Sequence, residues 1–136
     1  MPVDALELFS RPTARWFLKT FGAPTKVQEE TWPAIAAGRS VLVSAPTGTG
    51  KTLSAFLVFI DRLNAMARER RLKEELYLIY VSPLKSLAGD IRENLRRPLD
   101  GICQETELMG EGKMPDGLRV AIRSRRPSGL RKTMAN

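Results

Sequence analysis

The chain has 136 residues, 43% of them hydrophobic, and a formal net charge of +7. That length excludes more than one domain, and the hydrophobic fraction excludes a chain disordered throughout. A single cysteine, Cys103, and no histidine exclude an internal disulfide and argue against a zinc site, as expected of a protein in the reducing cytoplasm.

Residues 1–10 are mildly amphipathic, with Leu6, Leu8 and Phe9, and the acids Asp4 and Glu7 argue against a secretory leader. Pro12 suits the first turn of a helix that carries Ala14, Trp16, Phe17, Leu18 and Phe21, and Gly22 stands where its C-cap belongs. An aromatic helix of this kind packs a core or lines a nucleotide base. Thr25 and Gln28 then form a Thr-x-x-Gln capping box at the start of the next helix, which turns Val27, Trp32 and Ile35 inward. Pro33 predicts that this helix splits into two short turns.

An apolar run over residues 41–45 reads as a buried strand. It leads into Pro46-Thr47-Gly48-Thr49-Gly50-Lys51-Thr52, and a helical pattern leads out. Strand, glycine-bearing loop, Gly-Lys-Thr and helix form the arrangement that holds a nucleoside triphosphate. Gly48 and Gly50 let backbone N–H groups converge on phosphate oxygens. The first turn of the helix adds unpaired N–H groups and the positive end of its dipole. Lys51 brings a point charge for the β- and γ-phosphates, and Thr52 a hydroxyl for Mg²⁺. The strict phosphate-loop pattern wants glycine where Ala45 stands, but the Gly-x-Gly-Lys-Thr core is intact. The alternative is a glycine turn whose lysine is merely solvated.

Leu53, Phe56, Leu57, Ile60 and Leu63 recur at helical spacing, predicting a helix to about Ala67 packed on a sheet. Residues 68–75 are a mixed-charge, solvated stretch. Residues 76–81 form a continuous apolar run, the pattern of a parallel strand buried on both faces, so that strand, helix and strand make a crossover unit. Leu84, Leu87, Ile91 and Leu95 mark a further helix that Pro98 should interrupt; Leu99 and Ile102 lie in a second short piece. Residues 105–117 read as a loop and residues 118–122 as a third strand. No apolar run approaches the ~20 residues of a membrane span. Residues 123–136 carry five basic residues and no acid, leaving +2 of the total charge for the rest, so the basicity belongs to a tail expected to be disordered.

Together these pieces resemble the opening part of a superfamily 2 helicase, closest to the large helicase-related (Lhr-type) group, with DEAD-box enzymes as cousins. The resemblance covers roughly residues 9–122. It rests on Phe21-Gly22-Ala23-Pro24-Thr25 with Gln28, similar to an adenine-reading Q motif; on residues 45–52, where Ala45 is usual for this superfamily; and on Val81-Ser82-Pro83-Leu84-Lys85-Ser86-Leu87-Ala88, similar to motif Ia. It implies an α/β fold: the N-terminal part of a RecA-like domain over residues 1–122, a parallel sheet with helices on both faces. It also implies ATP and Mg²⁺ as cofactors and nucleic acid as partner, DNA ahead of RNA. By position, Gln28 would read the adenine edge with Thr25 in support. Pro46, Thr47, Gly48, Thr49, Gly50, Lys51 and Thr52 would hold the phosphates, with Thr52 on the metal. Pro83, Leu84 and Lys85 would lie along a strand's phosphates. The alternative for Lys85 is an ordinary lysine in a helix's first turn.

The sequence also departs from the family. Asp61, Asp90, Asp100 and Asp116 are the internal aspartates, and none is followed by an acid as the hydrolytic Asp-Glu of motif II requires. No second RecA-like domain is present. Where the family continues with a Gly-Asp-Thr type segment, Ser124-Arg125-Arg126-Pro127 stands, which suggests a shifted reading frame near Arg123. These departures leave a second reading, a truncated or non-catalytic nucleotide-binding module. They also predict poor solubility from unpaired strand edges.

Overall fold

The computed structural model describes residues 4–46, 48, 50–81 and 88–112, and for residues 88–93 the backbone alone. A short 3-10 turn, Ala5–Leu8, precedes four α-helices: α1, Arg11–Phe21; α2, Lys26–Ala36; α3, Lys51–Arg68; and α4, Ala88–Leu108. The turn packs on α2, α2 on α3, α1 on α4 and α3 on α4.

The core is aromatic at the α1–α2 end and aliphatic along α3. Phe17 and Trp32 are almost fully buried, and Trp32 is met edge-on by Phe9 at 4.9 Å and by Phe17 at 5.3 Å between ring centres. Phe56, Leu57, Val58 and Ile60 of α3 and Ile102 of α4 complete the cluster. Pro12 sits in the first turn of α1, as its sequence position suggests, and Gly22 closes the helix at φ 81° with its N–H donating to the Leu18 carbonyl. A positive φ is costly for any side chain, so the glycine belongs there.

Two polar clusters tie the helices together. Asp61, halfway along α3, accepts from the Ser10 N–H, from Ser10 Oγ at 2.5 Å and from Thr13 Oγ1 at 2.6 Å. A carboxylate from another helix thereby lies at the positive end of the α1 dipole. Glu105 of α4, 6% exposed, takes Lys19 Nζ at 2.5 Å and Arg15 Nε at 3.1 Å from α1. Gly101 lies beneath Trp16 where α1 meets α4, and a β-carbon there would fall 2.1 Å from the indole nitrogen.

Four expectations need correction. Residues 41–45 and 76–81, expected as strands, carry no β-ladder: no residue among those described is in one. A parallel strand exists only through hydrogen bonds to neighbours, and an apolar run without them is an extended segment. Pro33 does not split α2, which runs unbroken. Pro98 likewise lies within a continuous α4. In each case the carbonyl that loses its donor belongs to a solvent-exposed residue four back, Glu29 or Asn94, where water can replace the missing N–H. Lastly, residues 105–108 are helical rather than loop. Their polar side chains hid a buried stripe, in which Ile102 and Thr106 follow Pro98 and Thr106 Oγ1 donates back to the Ile102 carbonyl at 2.8 Å. The expected third strand at 118–122 and the tail at 123–136 lie outside the described residues.

Candidate nucleotide site

The site is built at the start of α3. Gly48 and Gly50 adopt φ of 85° and 80°, the left-handed region that glycine enters without steric cost. Gly50 caps the helix with no side chain to satisfy its first N–H groups. The first paired amide is that of Ser54, on the Gly50 carbonyl. The N–H groups of Lys51, Thr52 and Leu53 therefore have no carbonyl partner within the helix, and the dipole of an 18-residue helix adds to them. Lys51 and Thr52 open the helix, and both side chains are exposed. Phosphate chemistry fits this donor set: glycine backbone, amides without a partner in the helix, an ammonium and a hydroxyl.

Two residues of α2 hold that helix start in place. Gln28 Nε2 donates to the Gly50 carbonyl at 3.3 Å. Trp32, one turn further along α2, donates its indole N–H to the Leu53 carbonyl at 3.2 Å. Residues four apart on a helix share a face, so a single face of α2 grips the first turn of α3. The Gly50 carbonyl also accepts from Ser54 N–H at 3.0 Å and Ser54 Oγ at 2.9 Å. A β-carbon on Gly50 would fall 2.4 Å from Gln28 Nε2. The glycine is thus required both by its φ and by the close approach of Gln28.

The capping box of the sequence reading is present in full. Thr25 Oγ1 accepts from the Gln28 N–H at 3.3 Å, and Gln28 Oε1 accepts from the Thr25 N–H at 3.0 Å. Gln28 is 4% exposed, and both ends of its carboxamide are engaged with backbone. The structure therefore brings Thr25 and Gln28 to Gly50, at the start of α3. Pro46 is exposed at the loop's entry. Thr47 and Thr49 lie outside the described residues, as do Pro83, Leu84 and Lys85.

Trp32 is the positioning residue the sequence reading missed. It read as a core aromatic, and the signal for more was the Gln-x-x-x-Trp spacing on α2. Of the aspartates, Asp61 is committed to capping α1 and Asp100 pairs with Arg96 at 3.4 Å. Asp90 and Asp116 have no described side chain. Among the described residues, no group of three or more acids, histidines or cysteines could hold a metal, and no helix is long and apolar enough to cross a membrane.

Comparison with known proteins agrees with this arrangement. The pattern of the DEAD/DEAH box helicase family matches residues 25–124. The chain is 47% identical over 121 residues to a Lhr helicase/probable uracil glycosylase of Mycolicibacterium smegmatis, covering 89% of this chain and 8% of that protein. It is 43% identical over 122 residues to the Lhr helicase/uracil glycosylase of Escherichia coli, again 8% of that protein. An ATP-dependent helicase Lhr-Core protein 2 of Thermococcus barophilus is 41% identical over 129 residues, 15% of its length. The chain thus spans a small fraction of these relatives. The solved structure of the Mycobacterium smegmatis helicase Lhr bound to ssDNA and AMP-PNP superposes with a TM-score of 0.74 at 45% identity, covering 83% of this chain and 14% of that one. A matched pattern spanning most of the chain, with a glycine-capped helix start at its Gly-Lys-Thr, places this protein in the DEAD/DEAH box helicase family.

Proposed function

We propose that the chain is the nucleotide-binding part of an Lhr-type, ATP-dependent nucleic-acid helicase or translocase. The observation that carries this is the start of α3: two glycines at positive φ, three N–H groups without helix partners, and exposed Lys51 and Thr52 beside them. The likeness to a helicase Lhr bound to ssDNA and AMP-PNP supports the same reading.

In that reading the amides around Gly48 to Thr52 receive phosphate oxygens, with Pro46, Thr47 and Thr49 shaping the loop. Lys51 balances charge on the β- and γ-phosphates, and Thr52 offers its hydroxyl to Mg²⁺. The metal supplies charge neutralisation of the triphosphate when bound. Gln28 contacts the adenine edge with Thr25 behind it. Its Nε2 has a second hydrogen and its Oε1 a second lone pair, so the bonds to Gly50 and Thr25 do not use up its capacity. At 4% exposure it must be uncovered to do so. Pro83, Leu84 and Lys85 lie along the backbone of single-stranded DNA. Residues 41–45 and 76–81 are the strands of a parallel sheet with helices on both faces, formed when neighbouring strands are present.

A second reading, nucleotide binding without turnover, is favoured for these 136 residues by one observation: no aspartate is followed by a glutamate anywhere in them. Titration with AMP-PNP and Mg²⁺ tests the binding. Lys51→Ala should weaken it about tenfold or more, the worth of one charge-assisted contact. Equal affinity in the variant would sink the phosphate-loop assignment. Steady ATP hydrolysis stimulated by single-stranded DNA, lost in Lys51→Ala, would overturn the second reading in favour of an active enzyme.

A further inference from the structure

We propose that Ser54 is a positioning residue for base recognition: its buried hydroxyl keeps the Gly50 carbonyl satisfied when the Gln28 carboxamide leaves that carbonyl for adenine. This role presupposes that Gln28 contacts adenine, as proposed above, and it falls to a residue outside the Gly-Lys-Thr signature. Three donors converge on the Gly50 carbonyl. Ser54 Oγ lies at 2.9 Å, the Ser54 N–H at 3.0 Å and Gln28 Nε2 at 3.3 Å. A carbonyl oxygen has two lone pairs, so the set is one donor over capacity. Both shorter bonds come from Ser54. The Gln28 bond is the longest, hence the one that yields at least cost.

What covers Gln28 explains why it must yield. Its side chain is 4% exposed, and its Nε2 end faces Gly50 so closely that a β-carbon there would fall 2.4 Å away. Adenine presents its N6 amino group beside N7, a donor and an acceptor that a carboxamide meets with both ends at once. Opening the Nε2 end therefore means parting it from Gly50. Ser54 lowers the cost of that step. It is wholly buried, so its hydroxyl has no water to turn to and stays on the Gly50 carbonyl. A serine bonded back to the carbonyl four residues before it is common in helices and by itself indicates nothing. Here the accepting carbonyl is the one that Gln28 holds, on the left-handed glycine that opens α3. Trp32, the other grip from α2, bonds to Leu53 and keeps the first turn of α3 in place while Gln28 moves.

The test measures AMP-PNP and GMP-PNP affinity, with Mg²⁺, for the full chain and for Ser54→Ala, Gln28→Ala and the double variant. The unsubstituted chain should favour AMP-PNP, and Gln28→Ala should remove most of that preference. Ser54→Ala should cut the preference about fivefold, and should change it no further in the Gln28→Ala background. A preference untouched by Ser54→Ala but abolished by Gln28→Ala overturns this proposal and leaves the adenine reading standing. No binding or no preference in the unsubstituted chain, or a preference that survives Gln28→Ala, overturns the adenine reading and this proposal with it. Urea unfolding of the same four proteins checks the shared carbonyl without nucleotide. Gln28→Ala should destabilise the Ser54→Ala chain more than the unsubstituted one, because only then does Gly50 lose both side-chain donors. Additive losses would show that Ser54 does not stand in for Gln28.

Discussion

The helical layer and the two extended segments are drawn from comparably apolar sequence and end in opposite conditions. In the helices, Trp32, Phe17, Leu57 and Ile102 are almost wholly buried. Their backbone groups are paired inside each helix, with the end of α1 closed by Gly22 and the start of α2 by the Thr25 and Gln28 box. In residues 41–45 and 76–81, Leu42, Ile79 and Val81 face solvent. The difference is one of locality. A helix satisfies its backbone from its own chain and asks its neighbours only for packing. A strand asks another strand for every bond it makes.

The sharpest way to break this comparison is to damage the helical layer where it is densest. Trp32→Ala removes a buried ring between Phe9 and Phe17 together with its bond to Leu53. It should cost about 3–5 kcal/mol, read by urea unfolding, and also weaken AMP-PNP binding by loosening the start of α3. Asp61→Ala strips the acceptor from Ser10 and Thr13 at the head of α1. A loss of about 2 kcal/mol is expected, and a neutral result would show that water serves those donors equally well. Thr25→Ala removes one half of the capping box and should cost about 1 kcal/mol. The smallest effect should come from the other region: Leu42→Lys is expected to change the stability of the chain by no more than about 0.5 kcal/mol while raising its solubility. A large loss on Leu42→Lys would mean that the extended segments support the fold, and the contrast between the two regions would collapse.

Much of the site could be read from residues alone because its determinants are local. The capping box is a four-residue motif, and Thr25 and Gln28 form it with both bonds present. Gly50-Lys51-Thr52 opens a helix where the pattern placed one, and α3 ends one residue past the expected Ala67. The helices around Pro33 and Pro98 were misread because proline propensity is local, while the compensation comes from carbonyls placed on the wet side of a packed helix. Residues 105–108 were misread because Glu105 and Thr106 look like loop until Lys19, Arg15 and the Ile102 carbonyl stand beside them.

The sequence by itself determined the end of α1 at Gly22, the starts of α2 at its capping box and of α3 after Gly50, and which family the chain resembles. Those features depend on residues a few positions apart. Only the tertiary structure decided that Gln28 and Trp32 grip α3 through Gly50 and Leu53, that Asp61 caps α1, and that the two β-type runs remain without a ladder. The physical reason is distance along the chain. Each of those outcomes turns on a donor or acceptor brought in from far away in sequence, or on one that does not arrive, and no short-range pattern carries that information.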